Sequence, residues 1–309
     1  MTAAPLEPGP VTVRVPAKVN LELLVGPVRP DGYHALATVY QAVSLYGEVT
    51  VAPADSWGVS VGGPLRDGVP LDEDNIALRA AHLVADRHGG SSVHVSIRKG
   101  IPVAGGMAGG SADAAATVVA LEHLWGLDLE REALEAMAAE LGSDVPFLVA
   151  GGTAMGSGRG ELLAPVLARG TYHWVLALAE GGLSTPEVYA ECDRLRADEE
   201  VPEPVATPAL MAALRTGDAH ELAPQLSNDL QDAAVSLRPD LAETLDAGME
   251  YGALGGIVSG SGPTVAFLVE NTEAGIDLAV ALTASGVASD VRRAAGPVHG
   301  AHVIHHRSD

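Results

Sequence analysis

A glycine-rich loop that runs straight out of a strand and into a helix is the feature that most constrains how this chain can fold. Residues 101–116 read I-P-V-A-G-G-M-A-G-G-S-A-D-A-A-A. Just upstream, residues 93–97 (V-H-V-S-I) alternate apolar and polar side chains as a half-buried strand does. Downstream, residues 111–125 are alanine-rich and carry neither glycine nor proline, which predicts a helix. Such a junction can hold an anion. Glycines remove the Cβ atoms that would keep an anion off the backbone, and the following helix presents unpaired N–H groups and the positive end of its dipole. Ser111 stands where an N-cap would place its hydroxyl beside a bound phosphate or its metal.

Glycine alone does not establish this, because the chain has 36 glycines and a plain surface loop ahead of a plain helix has the same composition. The loop is not a Walker loop, since no G-K-[ST] ends it, and it lacks the G-x-G-x-x-G spacing of a dinucleotide site. The segment after Asp128, through E-R-E-A-L-E-A-M-A-A-E-L-G, reads as another helix with Asp128 as its cap and Gly142 as its stop. A dinucleotide fold would have a strand there, so a nicotinamide enzyme is disfavoured.

The 309 residues, 47% of them apolar, suit two domains with sizeable cores. The first half reads as strands at 11–15 and 19–25, a turn at 29–32, a β-rich stretch at 36–51 and a helix at 75–88. The strand and glycine loop follow, then a hairpin near 151–160. The pattern resets near residue 165. A buried strand at 172–179 is followed by helices near 186–196, 208–214 and 239–251, strands near 254–258 and 264–269, a helix near 273–285 and a terminal strand near 299–304. The expected organisation is two α/β domains, 1–165 and 166–309, with the ligand site in the cleft between them.

A formal net charge of −22 argues against nucleic acid or an anionic membrane as partner, while leaving room for a small anionic ligand that feels only the local field. Cys192 is the single cysteine, which excludes an intramolecular disulfide or thiolate zinc cluster. The first ten residues show no targeting pattern, and no segment reaches the roughly 18 apolar residues of a membrane span, so a cytoplasmic setting is expected.

Lysine is scarce: Lys18 and Lys99 stand against sixteen arginines. Lys18 lies in an apolar strand context, either as an edge residue reaching water or as a compact charge for phosphate oxygens or a carboxylate. Lys99 reads as a solvated charge at a strand end. Asp144, in G-S-D-V-P-F, starts a helical turn. It is either a dipole partner or a carboxylate that orients a substrate hydroxyl and accepts its proton. Tyr33 and His34 form an aromatic pair on a turn, suited to packing or to a flat ring.

Three blocks together resemble the GHMP small-molecule kinases: P-A-K-V-N-L near the N-terminus, P-V-A-G-G-M-A-G-G-S-A-D-A-A in the middle and V-S-G-S-G-P-T-V near the C-terminus. R-P-D-G-Y-H, G-S-D-V-P-F and S-N-D-L-Q are similar to the branch of that family acting on a cytidine diphosphate-linked methylerythritol. The resemblance implies an α/β (α+β) fold of two domains, the first with a left-handed crossover and the second ferredoxin-like. It implies ATP and Mg²⁺ as cofactors, a small-molecule substrate phosphorylated on its 2-hydroxyl, and a monomer or weak homodimer. By position, Asp144 matches the family's catalytic carboxylate and Lys18 the lysine beside it. The ATP site is implied at Pro102, Val103, Ala104, Gly105, Gly106, Met107, Ala108, Gly109, Gly110, Ser111 and Ala112, with Asn75 near the adenine. The substrate site is implied at Asn20, Tyr33, His34, Thr185 and Tyr189, with Tyr33 and His34 at the cytosine. Ala104, Met107, Ala108 and Ala112 depart from the usual Gly, Leu, Gly and Ser; alanine at 104 and 108 predicts ordinary backbone angles there. No metal ligand is identified, and Asp113 is read as favouring the helix N-terminus. The rival readings are another kinase of the family, of homoserine or mevalonate type, and a non-catalytic ATP-binding regulator.

Overall fold

The computed structural model describes residues 9–304. Its elements, in chain order, begin with β1 (Val11–Val28), β2 (His34–Pro53), β3 (Gly58–Gly62), α1 (Ile76–His88), β4 (Val93–Arg98), α2 (Gly109–Trp125), α3 (Arg131–Leu141), α4 (Val145–Ala150), β5 (Thr153–Ser157) and β6 (Leu162–Pro165). The chain continues through β7 (Tyr172–Leu178), α5 (Thr185–Leu195), α6 (Pro208–Thr216), α7 (Ala219–Leu222), β8 (Ser227–Asn228), α8 (Gln231–Leu237), α9 (Asp240–Glu250), β9 (Gly255–Val258), β10 (Val265–Val269), α10 (Thr272–Ser285), β11 (Asp290–Gly296) and β12 (His302–Ile304).

The first sheet has the order β12-β1-β2-β4-β3, with β5 and β6 joined through β2 and β8 beside β1. Its β3–β4 pair is parallel and connected through α1, which makes this the βαβ crossover of the first half. The second sheet has the order β11-β7-β10-β9 with antiparallel neighbours. Numbered along the chain its strands lie 4-1-3-2, with helices after the first and third, which is the ferredoxin-like β-α-β-β-α-β arrangement.

Period-2 alternation lets one strand serve two cores. Trp174 and Leu176 of β7 face the larger core, under the first sheet, while Val175 and Ala177 face the smaller one on the other side. β1 divides along its length instead: Val13 through Leu21 belong to the larger core, Leu23 and Val25 to the smaller. A register shift between Asn20 and Glu22 marks the change, as expected where an extra residue bends a strand.

Five expectations are corrected. Ala104 and Ala108 adopt φ of 50° and 61°, left-handed rather than ordinary angles. The loop around them is closely packed: a Cβ on Gly106 would meet Ser259 O at 1.9 Å and one on Gly109 would meet Pro102 O at 2.2 Å. Each left-handed alanine costs about 1–2 kcal/mol. The N-cap of α2 is Ala108, so Ser111 lies in the first helical turn and no side chain caps the helix. Glu130, not Asp128, caps α3; Asp128 takes φ 50° in the reversal after α2. Lys99 is 1% exposed and not solvated, for a reason given below. The strand near 299–304 shortens to β12 and pairs with β1 in the first sheet, not with its sequence neighbours in the second.

Candidate active site

Lys18 is 4% exposed in β1, where an uncompensated ammonium would be strongly unfavourable. Its compensation comes from three sides. Nζ donates to Asn20 Oδ1 at 2.6 Å, stands 3.7 Å from Asp144 Oδ2 as an ion pair longer than a hydrogen bond, and lies 5.9 Å from the centroid of the Tyr40 ring. Asn20 is fixed in turn, since its Nδ2 donates to Thr38 Oγ1 and that hydroxyl donates to Glu22 O. Burial pulls the Lys18 pKa below the ordinary lysine value, and the Asp144 carboxylate opposes that pull.

Asp144 is the N-cap of α4 but makes no side-chain cap bond, so its carboxylate is directed elsewhere. Tyr40 Oη donates to Asp144 Oδ1 at 3.1 Å, and the Tyr40 ring stacks on Phe147 at 4.8 Å. Burial first, and then the Asp144 charge, raises the Tyr40 pKa well above its usual value, which keeps the phenol a donor. A carboxylate held by one fixed hydroxyl and one fixed ammonium is positioned to meet a third group.

The glycine loop supplies the floor beside this pair. Lys18 N–H donates to Met107 O at 3.4 Å, and Ser259 Oγ donates to Gly106 O at 3.1 Å. A second turn, residues 259–262, closes over the first. Gly260 takes φ of 55°, and a Cβ there would press on Gly106 O at 3.0 Å and on Lys18 Nζ at 2.9 Å, which favours glycine. Asn228 Nδ2 pins that turn by donating to Val258 O and Gly260 O, both at 2.7 Å. Beneath the loop, Lys99 Nζ donates to Gly109 O and to Asp113 Oδ2, both deep in the interior. The uncapped start of α2 is thus held from below by a buried ion pair, while its first amides stay free for an anion. Burial raises the Asp113 pKa and Lys99 opposes the rise.

These groups line one cleft of about 770 Å³. It brings together Lys18, Asn20, Tyr33, His34, Ala104, Gly105, Gly106, Ala108, Gly109, Gly110, Ser111, Asp144, Thr185 and Tyr189. Pro102, Val103, Met107, Ala112 and Asn75 fall outside its lining. Met107 and Ala112 are packed in the core, and Asn75 caps α1 through bonds from Ala77 and Leu78 N–H, beside the cleft residue Ile76. Elsewhere in the cleft lining, His34 stacks on Tyr189 at 5.0 Å and its Nε2 lies 2.8 Å from Asp193 Oδ1. Thr185 Oγ1 lies 2.9 Å from Ser261 Oγ, joining α5 to the 259–262 turn.

Tyr40, Arg159, Asp193 and Ser261 also line the cleft, and sequence reasoning did not single them out. Ser261 and Asn228 lie within motifs that were visible, V-S-G-S-G-P-T-V and S-N-D-L-Q. Nothing local in the sequence distinguishes Tyr40 or Arg159.

Comparison with known proteins agrees with this geometry. The GHMP kinases N terminal domain matches residues 75–152, and the GHMP kinases C terminal domain matches residues 210–288. The chain is 57% identical over 301 residues to 4-diphosphocytidyl-2-C-methyl-D-erythritol kinase of Nocardia farcinica, covering 96% of this chain and 97% of that one. It is 58% identical to the protein of the same name from Mycolicibacterium smegmatis, covering 96% and 93%. The chain belongs to the 4-diphosphocytidyl-2-C-methyl-D-erythritol kinase family of GHMP kinases. A crystal structure of 4-(cytidine 5'-diphospho)-2C-methyl-D-erythritol kinase superposes with a TM-score of 0.74 at 32% identity, covering 92% of this chain and 98% of that one. This chain is therefore an ATP-dependent small-molecule kinase of isoprenoid precursor synthesis, and its fold is the two-part GHMP fold. Among the described residues no helix is long and apolar enough to cross a membrane.

The Lys18 environment has a measurable consequence. If Lys18 meets a phosphoryl group it must do so as the ammonium, and the depressed pKa means that form is lost at lower pH than for a solvated lysine. In the free enzyme, kcat/KM should therefore fall on the alkaline side with an apparent pKa below the ordinary value of about 10.4. A pH profile that stays flat to that value would remove Lys18 from the charge-bearing role.

Proposed function

We propose that this kinase transfers the γ-phosphoryl group of ATP directly to the 2-hydroxyl of 4-diphosphocytidyl-2-C-methyl-D-erythritol, with Asp144 as base and Lys18 as the adjacent cation. What chiefly supports the reading is the pair of buried Lys18 and half-buried Asp144 beside the uncapped start of α2, in a cleft that Tyr33, His34 and Tyr189 also line. Phosphoryl transfer through a loose transition state asks mainly for positioning and charge stabilisation. The loop amides and Ser111 bind the ATP phosphates, and Asp144 aligns the attacking hydroxyl and takes its proton. Tyr40 and Lys18 hold the carboxylate in place for both tasks.

The residues fit Mg²⁺ carried in on the nucleotide. Among the described residues there is no cluster of three or more His, Cys, Asp or Glu to cage a metal, and the cleft offers the Ser111 hydroxyl as an oxygen donor, suited to a cation that keeps most of its ligands from phosphate and water. Bound there, Mg²⁺ would neutralise phosphate charge. Asp113 is committed to Lys99 and is not counted as a ligand.

In this reading residues 1–165 form the ATP-binding and catalytic lobe, to whose sheet β12 returns, and the rest of 166–309 the second lobe, with Asn20, Tyr33 and His34 from the first and Thr185 and Tyr189 from the second binding the cytidyl substrate. ADP release by the purified protein with Mg-ATP tests it, with and without the cytidyl substrate and with homoserine and mevalonate as controls. Release only with the cytidyl substrate is expected. Release with a control alone would move the acceptor, and release with none would favour a nucleotide binder without turnover.

A further inference from the structure

We infer that Arg159 is the cation that holds the diphosphate of the nucleotide-linked substrate, an inference that rests on the cytidyl reading above. Arg159 sits at the tip of the hairpin between β5 and β6, flanked by Gly158 and Gly160 at φ of 74° and 104°. The tip is anchored on both sides. Gly158 O accepts from Leu36 N–H at 2.9 Å, at the start of β2, and a Cβ on Gly160 would lie 2.4 Å from Tyr40 Oη.

The Arg159 guanidinium consequently stands over the Tyr33 ring, 4.8 Å from its centroid, and its side chain, 31% exposed, lines the cleft. Among the described residues its one ion-pair contact is loose, Nε to Glu161 Oε1 at 3.9 Å. The terminal nitrogens are left to a ligand, and a planar fork of N–H donors matches phosphate oxygens.

Position along the cleft decides which part of a substrate it meets. Tyr33 marks the base end, and Tyr40, against which the hairpin tip packs, holds Asp144 at the alcohol end. The substrate has the same linear order: base, ribose, diphosphate, alcohol. With the base at Tyr33 and the alcohol at Asp144, the diphosphate lies along the wall between them, where Arg159 projects. Lys18 is the other lysine or arginine lining the cleft and is engaged with Asp144. In a chain of net charge −22, a diphosphate with no cation of its own would be repelled.

Competitive inhibition by cytidine and by CDP, compared in the wild type and in Arg159→Met, tests the inference. Methionine keeps an aliphatic stem against Tyr33 and removes the charge. The CDP inhibition constant should rise about tenfold, the cytidine constant should change less than twofold, and KM for the cytidyl substrate should rise with kcat nearly retained. Equal losses for both probes would reduce Arg159 to a prop for Tyr33 and overturn the inference, as would no loss for CDP. Arg159→Lys should recover part of the CDP affinity and none of the fork geometry, whereas full loss in both variants with cytidine also affected would point to a displaced hairpin. If neither probe inhibits the wild type and the cytidyl substrate is not turned over, the substrate reading itself falls, an outcome separate from the others.

Discussion

Asp144→Asn is expected to lower kcat by about 10² to 10⁴, the span of general-base catalysis, with KM for ATP and for the acceptor changed less than about threefold. The substitution is nearly isosteric, and the two groups that hold Asp144 explain why its effect should be confined to chemistry. Tyr40 Oη can donate to an amide oxygen as it does to the carboxylate, and Phe147 continues to support the Tyr40 ring. What is lost is the negative charge and the proton acceptor. Lys18 would lose its opposing carboxylate, so its pKa, already lowered by burial, would fall further and the alkaline limb of any residual activity would move to lower pH. Steady-state kinetics across pH measure both effects. Turnover within tenfold of the wild type would exclude Asp144 as the base and leave it as a partner for Lys18 alone.

Lys99→Met should destabilise the fold by about 3–5 kcal/mol, because it leaves Asp113 buried without its counter-charge. The pair sits under the first turn of α2, and Lys99 also donates to Gly109 O, so the loss falls on the element that presents the loop amides. Urea unfolding would read it as a lower midpoint at unchanged slope. The pH dependence has a definite sign. Burial raises the Asp113 pKa in the folded state, and removing Lys99 raises it further, so the folded protein binds more protons than the unfolded chain above the ordinary value of about 3.9. Stability of the variant should then recover as pH falls through that raised pKa, and the deficit should be largest at neutral pH. Replacing both partners, Lys99→Met with Asp113→Leu, should restore most of the loss, since an apolar pair of similar volume removes the uncompensated charge. A single variant as stable as the wild type would mean that water reaches Asp113.

The glycine loop shows where sequence reading works and where it stops. Strand, loop and helix were legible because hydrophobic period and the absence of glycine or proline in the helix are local properties. The left-handed angles at Ala104 and Ala108 were not, because the loop that holds them is packed against distant chain, with Gly106 against Ser259 O more than 150 residues away. Lys99 illustrates the same limit. A lysine at a strand end is usually solvated, and only the packing of α2 against β1 and β2 brings Asp113 to it as a partner. β11 escaped notice because D-V-R-R-A-A-G carries little strand propensity; pairing with β7 along seven residues supplies what the sequence lacks.

The sequence by itself determined the classes of element, the exclusion of an intramolecular disulfide and, through three separated motifs, the candidates for meeting phosphate. It placed Lys18, Asp144 and the glycine loop as candidates without showing that they touch. Tertiary structure decided which of them share a cleft, because an ion pair such as Lys18–Asp144, an aromatic stack such as His34–Tyr189 and a wall such as Tyr33–Arg159 each join segments far apart in the chain. Local propensity acts over a few residues, whereas charge compensation and close packing act through space, and the chemistry of this cleft is built from the second kind.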